Sequence, residues 1–324
     1  GPFAVAMIYL LTTIVISVGV TILDLRKRFA DLSIAPIRPG PAPVARGAHA
    51  LRWYGTFFTV TNLMQNAPIL MIAALGLSGP LLVTFTVQRT MVNFARTIAA
   101  SISNAAGAEL SVLAMQGNKA AFASGITLLA RLNSTLAALA ISGLLVFSKQ
   151  LITLWTGKPE LGSTAVLSLL LIPAAIVAPA LALQQAAVLS DKLKLQSQAA
   201  LINVIVGVGG GAVAGMYFGI VGIAFALAVG ESIAIGGFAA RHAAREFGIS
   251  YRTVFLQTTM FFMPALAWSL VTAQLASSLP FGSSSVGDIA RMAVWALIAG
   301  SPLLWLSISA TMRKSIAERI RRKF

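Results

Sequence analysis

Chemically reactive side chains are scarce in this sequence. Its 324 residues include no cysteine, two histidines and nine acidic residues. Without cysteine, disulfide bonds and thiolate metal sites are excluded. His49 and His242 lie in polar segments, the carboxylates do not cluster at the spacing of metal ligands, and no Walker A loop occurs. We therefore expect no catalytic residues, no metal and no cofactor, and we predict that the protein is not an enzyme.

Charged residues are rare as well, whereas apolar residues are abundant. Only 10% of the residues are charged, 57% are hydrophobic and the mean hydropathy is +0.86. Soluble domains carry about 25% charged residues, so this composition indicates a membrane protein. A helical span takes about 20 apolar residues, more than a barrel strand needs. Nine stretches are long enough: 3–23, 53–77, 81–108, 121–147, 163–188, 197–218, 220–240, 254–278 and 288–311. The sequence predicts an all-α integral membrane protein with about nine transmembrane helices.

The positive charge is distributed unevenly along the chain. The formal net charge is +15, which in a soluble protein would suggest a nucleic-acid partner. Here most Lys and Arg residues fall in segments on one side of the predicted membrane. The other side carries Lys149 and Lys158, with Arg291 just inside the last span. Because cytoplasmic segments are enriched in Lys and Arg, the C-terminus is predicted to be cytoplasmic, and we expect no nucleic acid as partner.

The longest connection, residues 24–50, is rich in proline and arginine. Four prolines lie within eight positions: Pro36, Pro39, Pro41 and Pro43. Because proline at this density opposes helix formation, the segment is predicted to be an extended cytoplasmic linker.

Two arginines interrupt the predicted span 81–108. Arg89, Asn93 and Arg96 are spaced i, i+4 and i+7, so they share one helical face. Charges at membrane depth cost several kcal/mol and mostly face a bundle interior or a wet cavity. Snorkelling of one side chain to the interface is the alternative, but it is harder for both. The spacing favours a cationic stripe that lines a cavity.

Other polar side chains lie in neighbouring spans. Arg131 is predicted either to join the cationic stripe or to snorkel or pair with a carboxylate. Glu231 is either the partner of an arginine or a protonatable group that couples transport to an ion. Asn62 and Asn66 share a face, where amides either join helices or bind sugar hydroxyls. Three arginines against one glutamate predict an anionic ligand, and the guanidinium group is well suited to phosphate.

Several segments resemble one family of transporters. Residues 66–118, 147–158, 186–203 and 217–231 are similar to polysaccharide flippases of the multidrug/oligosaccharidyl-lipid/polysaccharide exporter superfamily. Where the family has a Pro-Glu-x-Ser-like turn and then Gly-Asp, this chain has "AELS" from Ala108 and then Gly-Asn. The resemblance implies two six-helix lobes joined by a cytoplasmic linker, with two extra C-terminal helices in some members.

The resemblance also implies a division of the chain. Residues 1–23 would be the last helix of a truncated N-terminal lobe, and 24–50 would be the linker. Residues 51–245 would form the C-terminal six-helix lobe. Residues 246–324 would add two helices and a basic cytoplasmic tail.

For function, the resemblance implies translocation of a polyprenyl-(pyro)phosphate-linked oligosaccharide across the bacterial cytoplasmic (inner) membrane for surface polysaccharide export. The cationic residues Arg89, Arg96 and Arg131 would hold the phosphate. Amides would bind the sugar, and these are Asn62, Asn66 and Asn93. Glu231 would couple the cycle to an ion. Membrane lipid and other polysaccharide assembly proteins are the further partners expected.

Three alternatives stay open. A multidrug or cation antiporter of the same superfamily would need carboxylates or aromatic residues in its cavity, and the three arginines argue against it. A membrane-embedded glycosyltransferase or ligase would need a large external loop, but the longest, residues 148–162, is short. A structural membrane protein would place the arginines against separate partners without a cavity.

Overall fold

The computed structural model of the protein describes residues 41–77, 79–189, 193–281 and 284–307. Within these ranges the chain is helical and contains no strand. Six helical stretches are long and apolar enough to cross a membrane. They are Gly55–Ala74, Lys119–Thr156, Thr164–Val188, Lys194–Glu246, Tyr251–Ser277 and Ser285–Ser307. The predicted class, an all-α multi-pass membrane protein, is confirmed, while the count of nine spans and the lobe architecture stay predictions.

Ten α-helices follow one another in the described chain. They are α1 Pro41–Ala74, α2 Pro80–Met115, α3 Lys119–Thr156, α4 Thr164–Val177, α5 Leu181–Leu189, α6 Leu193–Asn203, α7 Gly210–Glu231, α8 Ala240–Glu246, α9 Tyr251–Ser277 and α10 Ser285–Ser307. Short 3₁₀ segments, Pro159–Leu161 and Ala178–Ala180, flank α4. Two π-helical segments continue α6 and α7: Val204–Gly209 and Ser232–Ala239.

The predicted spans 197–218 and 220–240 are the two arms of one apolar stretch of 53 residues, Lys194–Glu246. The helix is broken at Gly219, where φ is 58° and ψ is −141°. That conformation is accessible to glycine because it has no Cβ atom. The two arms pack on each other, with Leu227 against Gly207, and together they form a helical hairpin.

Helix α2 covers the predicted span 81–108 but is not among the six apolar stretches. It is 36 residues long and begins with Pro80, which suits the first helical turn because the N–H groups there have no intrahelical acceptor. One face is buried and apolar, with Phe85 and Val92. Another face is exposed and polar, so α2 is amphipathic.

The prediction of an extended linker over residues 24–50 is wrong for residues 41–50. These residues form the first turns of α1, which begins at Pro41. Pro41 and Pro43 lie in the first turn, where a missing backbone N–H breaks no intrahelical hydrogen bond. Residues 24–40 and the predicted span 3–23 lie outside the described residues.

The chain divides into two compact units, Gly1–His49 and Ala50–Phe324. In the second unit α3 is central, because it packs on α2, α4, α9 and α10. Its buried side chains join an apolar core with α2, α4 and α7; this core includes Phe85, Val92, Ile141, Leu167 and Ile223. The assignment of residues 51–245 and 246–324 to a lobe and an added helix pair stays a prediction.

Candidate functional site

An ion pair joins α2 to the second arm of the hairpin. Arg96 Nη1 lies 2.8 Å from Glu231 Oε2, and the two side chains are 27% and 17% exposed. Arg96 Nη2 also donates to the Leu170 carbonyl at 3.2 Å. Glu231 is the last residue of α7, directly before a π-helical segment. Glu231 is the partner of an arginine in this conformation, which is one of the two roles weighed for it, and its coupling of transport to an ion stays a prediction.

Arg89 binds backbone oxygens of α1. Its Nη2 donates to the Met64 carbonyl at 2.7 Å, and its Nη1 donates to the Gln65 carbonyl at 2.9 Å. The side chain is half-buried. Both arginines of α2 therefore bind oxygen acceptors on neighbouring helices.

A small cavity connects these groups. Its charged and polar lining is made of Arg89, Asn93, Arg96 and Glu231, which are four of the residues predicted from the sequence. Its volume is about 30 Å³. This volume is enough for one or two water molecules. We name the group the ion-pair cavity. In this conformation its cationic groups bind protein oxygens.

Two further cavities lie between the helices. One of about 100 Å³ is lined by Arg96, Glu231, Gln184 and small apolar residues, so the ion pair borders both this cavity and the ion-pair cavity. The other is an open apolar groove of about 220 Å³ between α2, α3 and α10. Ala95 and Ala140 line both of these cavities. The cavity that borders the ion pair and the apolar groove are therefore neighbours, separated by alanine side chains.

The structure places Arg131 apart from the other two arginines. Its Cζ lies 4.6 Å from the centroid of the Phe261 ring on α9, a cation–π geometry. Its Nε is buried and has no hydrogen-bond acceptor among the described residues. Arg131 does not line the ion-pair cavity.

Asn62 and Asn66 lie on the surface of α1. Their amide groups donate to the Phe58 and Asn62 carbonyls of the same helix, each at 2.9 Å. Asn66 is exposed. Neither residue lines one of the three cavities described above.

Some groups at the site were not predicted from the sequence. Thr90 and Thr97 are exposed on the same face of α2 as Asn93, and their hydroxyls donate to carbonyls one turn back. Their spacing, i, i+3 and i+7, could have identified them. The other ligands of the arginines are the backbone carbonyls of Met64, Gln65 and Leu170, which no side chain identifies. The Met64 carbonyl alone has a signal in the sequence, because Pro68, four residues later, lacks the N–H that would bind it.

Among the described residues, no three His, Asp or Glu side chains come together in a group that could hold a metal ion. No protein-family model, curated protein or solved structure matches the chain. The resemblance to flippases therefore rests on the sequence segments alone.

Proposed function

We propose that the chain is part of a flippase for polyprenyl-(pyro)phosphate-linked oligosaccharides in the bacterial cytoplasmic membrane, with its C-terminus in the cytoplasm. In this proposal residues 51–245 form one six-helix lobe and α9 and α10 are the added pair. The observation that carries the proposal is the ion-pair cavity. It holds two arginines and one glutamate inside a bundle whose buried side chains are mostly apolar.

The present ligands of the arginines resemble those that a phosphate would supply. Arg96 binds a carboxylate oxygen and Arg89 binds two carbonyl oxygens. Phosphate oxygens are stronger acceptors than carbonyls and match the guanidinium fork. An incoming pyrophosphate would take these donors and release Glu231. The freed carboxylate would then bind a proton or a cation, which links substrate entry to an ion.

The surroundings fit an amphipathic substrate. The polar face of α2, with Thr90, Asn93 and Thr97, offers hydroxyl and amide groups for a sugar. Asn62 and Asn66 on α1 are assigned to the same role. The apolar groove lined by Met91, Phe94 and Trp295, among others, suits a hydrocarbon chain.

One observation favours a second candidate, a cation antiporter. Glu231 borders two cavities, so an organic cation could displace Arg96 from its carboxylate. The excess of arginine disfavours this function, because two cations already face one carboxylate. Uptake of an organic cation that depends on Glu231 but not on Arg89 would support it.

The experiment is a translocation assay on full-length protein in liposomes, with a fluorescent polyprenyl-pyrophosphate oligosaccharide. Arg89→Ala and Arg96→Ala are each expected to slow translocation at least about tenfold, since hydrogen bonds to charged groups contribute about 1.5–3 kcal/mol. Arg131→Ala is the matched comparison, because it removes an intramembrane arginine outside the ion-pair cavity. An equal loss in Arg131→Ala would assign Arg131 to the phosphate as predicted. Translocation at the wild-type rate in both α2 variants would refute the proposal.

A further inference from the structure

Helix α1 has a break in its hydrogen bonding at Pro68. Proline has no backbone N–H, so the carbonyl four residues earlier, that of Met64, receives no donor from within the helix. In a membrane an unsatisfied carbonyl is costly, because lipid offers no hydrogen-bond donor. Neighbouring groups must therefore satisfy it.

Arg89 supplies the missing donor. Its guanidinium donates to the Met64 carbonyl at 2.7 Å and to the adjacent Gln65 carbonyl at 2.9 Å. One side chain of α2 therefore bridges the turn of α1 that Pro68 interrupts. Arg89, which we assign to the substrate phosphate, therefore also satisfies the backbone of α1 where Pro68 interrupts its hydrogen bonds.

The parts of α1 before and after Pro68 contact the same helical arm, the one that ends at Gly219, at two different positions. Before it, the Trp53 carbonyl accepts a hydrogen bond from Ser197 Oγ of α6 at 2.8 Å. After it, Met71 packs against Gly211 of α7. A change of bend at Pro68 would therefore move the first part relative to the second.

We propose that Arg89 is a ligand-released latch on α1. An anion that binds Arg89 takes the donors from the Met64 and Gln65 carbonyls, and α1 then bends further at Pro68. The larger bend widens the ion-pair cavity beyond its present 30 Å³. The inference rests on the proposed function, because it needs an anionic substrate at Arg89, and it adds the way in which substrate arrival changes the fold.

In the latch, the anion and the carbonyls of α1 compete for the Arg89 guanidinium, and one substitution weakens this competition. Pro68→Ala restores the N–H group at position 68, so the Met64 carbonyl gains a donor from its own helix. Arg89 is then less engaged, and an anion should bind it more tightly. The bend of α1 should no longer respond to that anion.

The test uses spin labels in the full-length protein in detergent. The 324-residue sequence contains no cysteine, so Phe58→Cys and Leu256→Cys introduce the two label sites within it. Both positions are exposed, at 58% and 49%. The distance between the labels is measured with and without inorganic pyrophosphate, and pyrophosphate affinity is measured by calorimetry.

The wild-type distance is expected to change by several ångströms when pyrophosphate binds. Pro68→Ala should abolish the change and tighten binding about fivefold or more, the usual range of coupling between two equilibria. Pro264→Ala, at a proline in the middle of α9, is the matched control and should leave both quantities unchanged. Arg89→Lys should shift the distance without pyrophosphate, because a single ammonium group lacks the guanidinium fork.

The outcomes separate the latch from the flippase. Pyrophosphate binding with an unchanged label distance would overturn the latch and leave the proposed function standing. An equal distance change in Pro68→Ala and wild type would also overturn the latch alone. Absence of pyrophosphate binding in the wild-type protein would overturn both.

Discussion

Two polar regions of the bundle are built differently. In the ion-pair cavity, charged side chains contact each other at the edge of a cavity, and the side chains of Arg96 and Glu231 are 27% and 17% exposed. At the contacts of α3 with α9 and α10, neutral hydroxyls meet in a packed interface. There Ser142 lies 2.5 Å from Ser269, and these two side chains are fully buried. We name this second region the hydroxyl interface; it includes a Thr135–Ser307 pair.

The difference is the one that we expect between a binding site and a packing interface. A hydroxyl pair satisfies itself and needs neither water nor a ligand, so it can join helices permanently. An ion pair among apolar helices costs desolvation energy, and it survives more easily where some solvent reaches it. The partial exposure of Arg96 and Glu231 therefore marks groups that can exchange partners. Arg131 shows that residue type alone does not decide this, because the same side chain on α3 lies against an aromatic ring.

The largest loss of stability is expected at Gly230, next to Glu231 of the ion-pair cavity, where the backbones of the two hairpin arms are in contact. A Cβ atom at Gly230 would lie 2.6 Å from the Gly207 backbone nitrogen, so the two arms of the hairpin leave no room for it. Gly230→Ala should lower the free energy of unfolding by about 3 kcal/mol, the upper part of the usual range for overpacking. The measurement is thermal or chemical unfolding in detergent.

The matched control for Gly230→Ala is Gly209→Ala. Gly209 lies in the other arm, two residues from Gly207, and a Cβ there would meet nothing within 4 Å. It should keep the free energy of unfolding or raise it by up to about 1 kcal/mol, because alanine is the better helix former. Equal losses in the two variants would show that the arms are not held by this contact.

The next effect comes from breaking the ion pair. Glu231→Ala leaves Arg96 with the Leu170 carbonyl as its one partner among the described residues. Removing one member of a buried pair costs about 3–5 kcal/mol, and partial exposure here lowers the expected loss to about 2 kcal/mol. Adding Arg96→Met should restore much of the stability, because the unpaired charge is gone. Stability is measured by unfolding in detergent, and failure of the second substitution to rescue would mean that Arg96 is not the group left unpaired.

Helix positions were the most predictable part of the fold. Apolar length sets them: the predicted span 254–278 is observed as Tyr251–Ser277, and 121–147 lies within Lys119–Thr156. The shared face of Arg89, Asn93 and Arg96 followed from the helical period, and these residues do line one cavity. Local spacing was sufficient in both cases because it depends only on the helix itself.

Partners across helices could not be predicted in the same way. Any of three arginines was a candidate partner for Glu231, and the packing of α2 and α7 on α4 places it beside Arg96. Carbonyl ligands have no side-chain identity, although Pro68 points to the Met64 carbonyl. The π-helical segments depend on shifted backbone hydrogen bonds, which the apolar sequences 204–209 and 232–239 do not reveal.

The smallest effect is expected in the hydroxyl interface. Ser142→Ala removes one side of the Ser142–Ser269 pair. Hydrogen bonds between membrane helices contribute about 0.6 kcal/mol on average, so unfolding in detergent should become easier by that amount and translocation should not change. Ser277→Ala is the matched control, because this exposed hydroxyl of α9 donates only within its own helix, to the Gln274 carbonyl. A hydroxyl that only joins helices can affect transport only by changing the stability of the fold. A loss of translocation in Ser142→Ala with little loss of stability would therefore contradict the different roles that we assign to the ion-pair cavity and the hydroxyl interface.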